Sequence, residues 1–148
     1  MIKHNHIFSL PINPKLTEKQ FFEFFNFCKT FKHLIYDLYF TCRMPPFIQD
    51  AMGDVIMGDP TAPIANAINL QKELDIPISA TFNNTLVRPD QENLDLFISN
   101  FDQLYEQGVK IVTIPHTSWL MTGQLQKRYP DLKIKNTILR DVNKANQI

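Results

Sequence analysis

Hydrophobic residues along the chain follow two periods in turn, and this alternation predicts five strands separated by helices. The helical stretches repeat apolar residues every three or four positions, as Phe21, Phe24, Phe25 and Cys28 do. The strand-like stretches are shorter and rich in branched and aromatic residues. The predicted strands are His6–Leu10, His33–Phe40, Ile78–Phe82, Val109–Ile114 and Lys133–Leu139.

Capping signals predict where the helices begin and end. Thr17 and Gln20 have the spacing of a capping box before the first helix, and Asp90 is a natural N-cap for the third. Gly108 stands where a glycine commonly ends a helix. The other predicted helices are Pro63–Leu74, Trp119–Tyr129 and one that begins at Asp141.

This order of elements predicts an α/β fold, an incomplete parallel (β/α) barrel of about four and a half βα units in a single domain over residues 1–148. A doubly wound sheet has the same element order, but no G-x-G-x-x-G motif follows the first strand. A complete barrel needs eight units. The first and last strands are therefore expected to be open edges, so that either the chain is a fragment or copies of it self-associate through those edges.

Composition and charge narrow the classes of function. The chain is 44% hydrophobic, and fifteen Lys+Arg balance fifteen Asp+Glu without the basic stripe of a duplex-binding protein. Neither a signal peptide nor an apolar run of about 18 residues occurs, so we expect a cytoplasmic protein with no membrane partner. Cys28 and Cys42 are too few to build an iron–sulfur cluster, so no cofactor is expected in this chain.

In a barrel, functional residues follow the carboxyl ends of the strands. Arg43 is the leading candidate because a guanidinium binds a carboxylate or phosphate bidentately; the alternative is an ion pair with Asp50 or Asp54 that ties down the loop after the second strand. His116 is a candidate general base or metal ligand, or else a surface histidine that caps the next helix. The candidate substrate-binding residues at the same end are Asn13, Asn83 and Asn84.

Two more residues have alternative interpretations. Cys42 is a nucleophile if the neighbouring Arg43 lowers its thiol pKa, or else a small buried cysteine. Asp37, within the second strand, is either a buried acid that faces the barrel interior or an acid that points toward the helix layer and meets a lysine.

The last third of the chain contains a motif that resembles the peptidase U32 family. The motif consists of G-V-K-I-V at residues 108–112, Y-P-D-L-K-I at 129–134, N-T at 136–137 and D-V-N at 141–143. The family has a similar strand, then F-P-D-L-x-I-H-x-S-T-Q and a later asparagine, and Lys135 stands where the family has histidine. The resemblance implies a barrel fold and adds Thr137 as a substrate-binding residue and Asn143 as a catalytic one. Asn143 is expected to lie with Arg43, Asn83 and His116 at one end of the sheet.

The better-understood U32 members are cytoplasmic enzymes that hydroxylate RNA or quinone precursors with an iron–sulfur cluster. The resemblance therefore implies a small-molecule or RNA substrate. Two functions fit the sequence. The first is a U32-like hydroxylase or nominal peptidase, inactive as this chain alone because the cluster cysteines would belong to a missing carboxyl-terminal half. The second is a non-catalytic half-barrel that binds a ligand or a partner.

Overall fold

The computed structural model describes residues 8–48 and 62–136, which form an α/β fold built on a five-stranded parallel sheet. Within these ranges, no helix has both the length and the apolar character needed to cross a membrane. The strands are β1 Phe8–Pro11, β2 Ile35–Thr41, β3 Ile78–Thr81, β4 Ile111–Ile114 and β5 Lys133–Asn136, and the helices are α1 Glu18–Thr30, α2 Ala62–Leu74, α3 Gln91–Glu106 and α4 Gln124–Arg128.

The strands lie across the sheet in chain order, β1 to β5, and each neighbouring pair is parallel. A doubly wound sheet reverses its strand order at a switch point, and this sheet does not. The predicted α/β class with helices between parallel strands is confirmed, and the order is consistent with part of a βα barrel.

The two faces of the sheet have opposite character. Residues paired in register project from the same side of a sheet. One face is apolar, buried and joined with the helices in a continuous core; its residues are Leu38, Phe40, Ile78, Ala80, Val112 and Ile114. The other, here called the polar face, consists of Ser9, Asp37, Tyr39, Thr41, Ser79, Thr81, Ile111, Thr113, Lys133 and Lys135.

A β-bulge in β2 determines which residues reach the polar face. The pairing of β1 with β2 skips Tyr36, which lies between Ile35 and Asp37. A bulge adds one residue to a strand and re-aims the side chains around it. Ile35 is consequently buried in the apolar core, while the ring of Tyr36 lies 5.4 Å from Nζ of Lys135.

Aromatic rings fill the space between the apolar face and α3. The ring centroids of Phe82 and Phe97 are 4.9 Å apart. Phe47, from the loop after β2, packs edge-on against Phe82 at 5.5 Å and Trp119 at 6.3 Å. Asn100 of α3 donates a hydrogen bond of 2.9 Å to a backbone carbonyl of the same loop. The loop after β2 is therefore packed against the residue that follows β3.

The predicted helix caps are confirmed. Thr17 and Gln20 form a reciprocal capping box, in which each side chain bonds the backbone N–H of the other residue. Asp90 accepts a 3.0 Å hydrogen bond from the backbone of Asn93. The apolar stripe of α1 is also confirmed, because Cys28 is buried and its phenylalanine neighbours pack against the core.

The predicted continuous helix Trp119–Tyr129 is wrong. The chain forms a 3₁₀ helix over Thr117–Thr122 and then the short helix α4. Gly123 separates them in a left-handed conformation with φ of 71°, which a right-handed helix does not contain. The second strand also begins later than predicted, because residues 32–34 form a 3₁₀ turn. Residues 137–139 of the last predicted strand and the helix predicted from Asp141 lie outside the described residues.

Gly108 ends α3 in a Schellman motif, as its position predicts. Its φ is 95°, and its N–H donates to the carbonyl of Tyr105 at 3.0 Å. The N–H of Val109 donates to the carbonyl of Leu104, also at 3.0 Å. The motif turns the chain directly from α3 into the approach to β4.

We expect Gly108→Ala to destabilise the fold more than Gly123→Ala. A side chain in the left-handed region costs about 1–2 kcal/mol at either position. A Cβ at position 108 would also lie 3.1 Å from the Nε2 atom of Gln71, whereas at position 123 no atom lies within 4 Å. Urea unfolding followed by the fluorescence of Trp119, the single tryptophan, measures both losses. Equal losses would show that the contact with Gln71 has no energetic effect.

Candidate functional site

Asp37 and Lys135 form an ion pair across the polar face. The Asp37 side chain is 0% exposed, and its Oδ2 atom accepts a hydrogen bond from the Lys135 ammonium. The same ammonium lies 3.4 Å from Oγ of Ser9 on β1. Lys135 on the fifth strand therefore contacts residues of both the first and the second strand.

These contacts require a strongly curled sheet. In a flat sheet β1 and β5, four strand spacings apart, would be separated by about 19 Å, which is farther than a lysine side chain reaches. In a curled sheet the strands are tilted and staggered, so residues from different register rows can lie at the same level along the axis of the curl. The polar face is therefore the concave side of the sheet.

Buried polar atoms without a hydrogen-bond partner among the described residues occur on this concave side. They include Oδ1 of Asp37 and Oγ of Ser79, a serine that is 0% exposed. Asn83 lies two residues beyond the end of β3, and its Oδ1 atom also has no hydrogen-bond partner among the described residues. Nearly all buried polar atoms in proteins bond to protein or water. Each of these atoms therefore has hydrogen-bonding capacity that the described residues leave unused.

A row of threonines crosses the polar face next to these atoms. Thr41, Thr81 and Thr113 are register partners on β2, β3 and β4, and Lys135 completes the row on β5. Valine, isoleucine and leucine usually fill the interior of a (β/α) barrel. Here hydroxyl groups, which both donate and accept hydrogen bonds, take those positions.

The predicted site residues within the described ranges lie at one end of the sheet, because each of them follows the carboxyl end of a parallel strand. Side chains alternate between the two faces along each strand. If this alternation is extended beyond the strand ends, the polar face would include Asn13, Arg43 and Asn83, and the apolar face would include His116. Arg43 is half-buried. Its alternative ion-pair partners and two predicted site residues lie outside the described ranges: Asp50, Asp54, Thr137 and Asn143.

His116 is a buried residue, so its interpretation as a surface histidine is wrong. The side chain is 3% exposed, and its ring packs edge-on against Trp119 at 5.2 Å. Nε2 contacts the backbone carbonyl of Val87. A carbonyl only accepts hydrogen bonds, so Nε2 is the donor. The ring makes no capping bond to the following 3₁₀ helix. The contacts with Trp119 and Val87 are packing contacts, and the catalytic role of His116 stays a prediction.

Two of the asparagines predicted to bind substrate stabilise turns. Oδ1 of Asn84 accepts a 3.0 Å hydrogen bond from the backbone of Leu86, and Oδ1 of Asn13 accepts one of 2.9 Å from Lys15. Both contacts are side-chain turns that stabilise a loop locally. Asn13 also lines a cavity of about 290 Å³ beside the start of α1. Substrate binding by these residues stays a prediction.

The two cysteines are buried thiols. Burial raises the pKa of Cys42 to about 12 and that of Cys28 to about 11. Both therefore stay protonated near neutral pH, so the hypothesis that Cys42 is an activated nucleophile is wrong. Within residues 8–48 and 62–136, no group of three or more His, Cys, Asp or Glu side chains is placed to hold a metal ion.

The pairing of Asp37 with Lys135 was not predicted from the sequence. A signal was present in the period-two spacing of polar residues, at Ser79 and Thr81 and again at Lys133 and Lys135. Such spacing indicates a strand with one polar face. It does not identify which residues meet across a curled sheet.

No protein family, curated protein or solved structure matches the chain. The resemblance to the peptidase U32 family stays a prediction. Function must therefore be argued from the geometry and chemistry of the site itself.

We expect neither thiol to react with Ellman's reagent in the folded protein at pH 8. The reagent needs a thiolate, and burial both raises the pKa of each cysteine and blocks access. Both cysteines should react once guanidinium unfolds the chain. Rapid labelling of Cys42 in the native state would contradict the buried, protonated assignment.

Lys135→Met is expected to lower the free energy of unfolding by about 3 kcal/mol, because it leaves the buried Asp37 carboxylate without its counter-charge. The double variant Asp37→Leu/Lys135→Met removes both charges and should recover most of this loss. Lys127→Met, at an exposed position of α4, is the matched control. Urea unfolding measures all three. A loss in Lys135→Met no larger than in the control would show that the pair adds nothing to stability.

Proposed function

We propose that this chain is a ligand-binding protein, part of a (β/α) barrel, whose concave polar face holds a small polar molecule. The observation that carries the proposal is the environment of Asp37. One oxygen of this fully buried side chain bonds Lys135, and the other has no partner among the described residues. An ionised carboxylate only accepts hydrogen bonds. Oδ1 is therefore available to a donor group on a ligand.

The surrounding side chains favour a polar ligand over an apolar one. The buried hydroxyl of Ser79 lies on the strand adjacent to that of Asp37, in register with Tyr39, and Thr81 and Thr113 follow in the next register row. Small-molecule sites commonly fix a few polar groups on a rigid scaffold. Here the scaffold is the paired strands themselves, which the apolar core holds from the other side.

The sequential strand order and the curl of the sheet support the barrel part of the proposal. β1 and β5 are the edges of the described sheet, and self-association through them stays a prediction. A cytoplasmic location, U32-like chemistry and a small-molecule or RNA substrate by resemblance also stay predictions.

Thermal unfolding in the presence of polyols, sugars, hydroxy acids and amino acids tests the proposal. A ligand at 100 times its Kd adds about 2.7 kcal/mol to the folded state, which corresponds to a rise in Tm of about 5–10 °C for a chain of this size. We expect at least one of these classes to raise the Tm of the wild-type protein.

Matched variants locate any such effect. Ser79→Leu places an apolar side chain on the polar face and is expected to abolish the rise in Tm, whereas Ser99→Leu at an exposed position of α3 should keep it. Thr81→Val removes a hydroxyl from the same face at constant volume, and is used if Ser79→Leu does not fold. A screen without any rise in Tm, or a rise of equal size in the polar-face variants, would contradict ligand binding at this face.

A further inference from the structure

We propose that the ligand of the polar face is a small hydroxylated anion, in the class of hydroxycarboxylates and sugar phosphates. This inference rests on the proposed function and adds the charge and the hydrogen-bonding groups of the molecule. Two independent features of the face carry it: its balance of charges, and the kind of buried atoms that lack partners.

The strand residues of the polar face carry more positive than negative charge. Asp37 is their only acid, and Lys133 and Lys135 are their bases. The two ammonium groups lie 5.8 and 5.4 Å from the ring centroid of Tyr36, so both are near this ring. Asp37 pairs with Lys135, and within the described part of the chain Lys133 has no carboxylate partner. A concave surface with excess positive charge attracts anions.

The unpartnered buried atoms require hydrogen-bond donors on the ligand. Oδ1 of Asp37 accepts only, and the amide oxygen of Asn83 at the rim also accepts only. Oγ of Ser79 both accepts and donates. A hydroxyl group suits each of these atoms taken singly, because a hydroxyl donates to an oxygen and accepts from a serine.

An ammonium on the ligand would also donate to Asp37, but the charges of the face disfavour it. Lys135 already pairs with the carboxylate, and Lys133 lies near the same Tyr36 ring as Lys135, so a further cation would be repelled. A hydroxyl donates without adding positive charge. The anionic part of the same molecule then offsets the charge of Lys133.

Water is the alternative occupant of this face. A buried water bonds two to four polar groups, so waters alone are able to satisfy Asp37 and Ser79. If only water occupied the face, however, anions and neutral molecules would show no difference in binding. A comparison of ligands that differ only in charge or only in hydroxyl groups therefore separates the two accounts.

Isothermal titration calorimetry with four small probes makes this comparison. Glycerate and glycerol 3-phosphate carry both hydroxyl groups and negative charge, glycerol has hydroxyls without charge, and propionate has charge without hydroxyls. We expect glycerate or glycerol 3-phosphate to bind at least about tenfold more tightly than glycerol and propionate. The better of the two anions identifies whether a carboxylate or a phosphate is preferred.

Two lysine variants test the charge argument. Lys133→Met is expected to weaken binding of the preferred anion about tenfold and to leave glycerol unaffected, because it removes an ion contact only. Lys127→Met, which removes the same charge from the exposed surface of α4, should change neither. Equal losses in the two variants would overturn the assignment of the anion to the polar face.

The outcomes separate this inference from the proposed function. If glycerol binds as tightly as glycerate, the site is one for neutral polyols. If propionate binds as tightly as glycerate, the site does not recognise hydroxyl groups. Either result overturns the hydroxylated anion and keeps ligand binding. If none of the four probes binds, a rise in Tm with another class of compound overturns the inference alone, whereas no rise with any compound overturns the proposed function as well.

Discussion

The contact between Asp37 and Lys135 is the constraint that makes the two sides of the sheet different. A buried carboxylate persists only when an opposite charge and hydrogen bonds compensate for its lost hydration. The compensating lysine lies three strands away in the sheet order, so the sheet must curl for the two side chains to meet. Burial of the charge therefore depends on the curl, because in a flat sheet Lys135 could not reach Asp37.

The residues of the apolar core and the residues with polar groups consequently lie on opposite sides of the sheet. The apolar face and the rings of Phe47, Phe82, Phe97 and Trp119 form the continuous core, where burial and edge-on ring contacts provide the main favourable energy. The polar face contributes hydroxyl and charged groups in place of the branched apolar residues that usually fill a barrel. Ser79, Thr81 and Thr113 lie on the opposite side of the strands from this core.

Local features could be predicted from the sequence, and non-local ones could not. The capping box at Thr17 and the Schellman glycine Gly108 depend on residues a few positions apart, so their patterns sufficed. The pair of Asp37 and Lys135 joins residues 98 positions apart, and only the curl of the sheet brings them together. The β-bulge at Tyr36 likewise depends on pairing with β1. The burial of His116 was not predicted because it involves a contact with Val87, 29 residues earlier in the chain, as well as the local contact with Trp119.

The loops at the carboxyl ends of the strands, where barrels usually hold their functional residues, mainly serve packing in the described part of this chain. Phe47 packs into the aromatic core, Asn84 closes a turn, and His116 is buried against Trp119. Asp37 and Ser79, which each have a buried polar atom without a partner among the described residues, lie lower, on the strands themselves. Strand residues are fixed by the hydrogen bonds of the sheet, whereas loop residues must often be ordered when a ligand binds. A site built on strands therefore loses little conformational entropy on binding, which favours a small ligand that makes few contacts over a large one that needs mobile loops to enclose it.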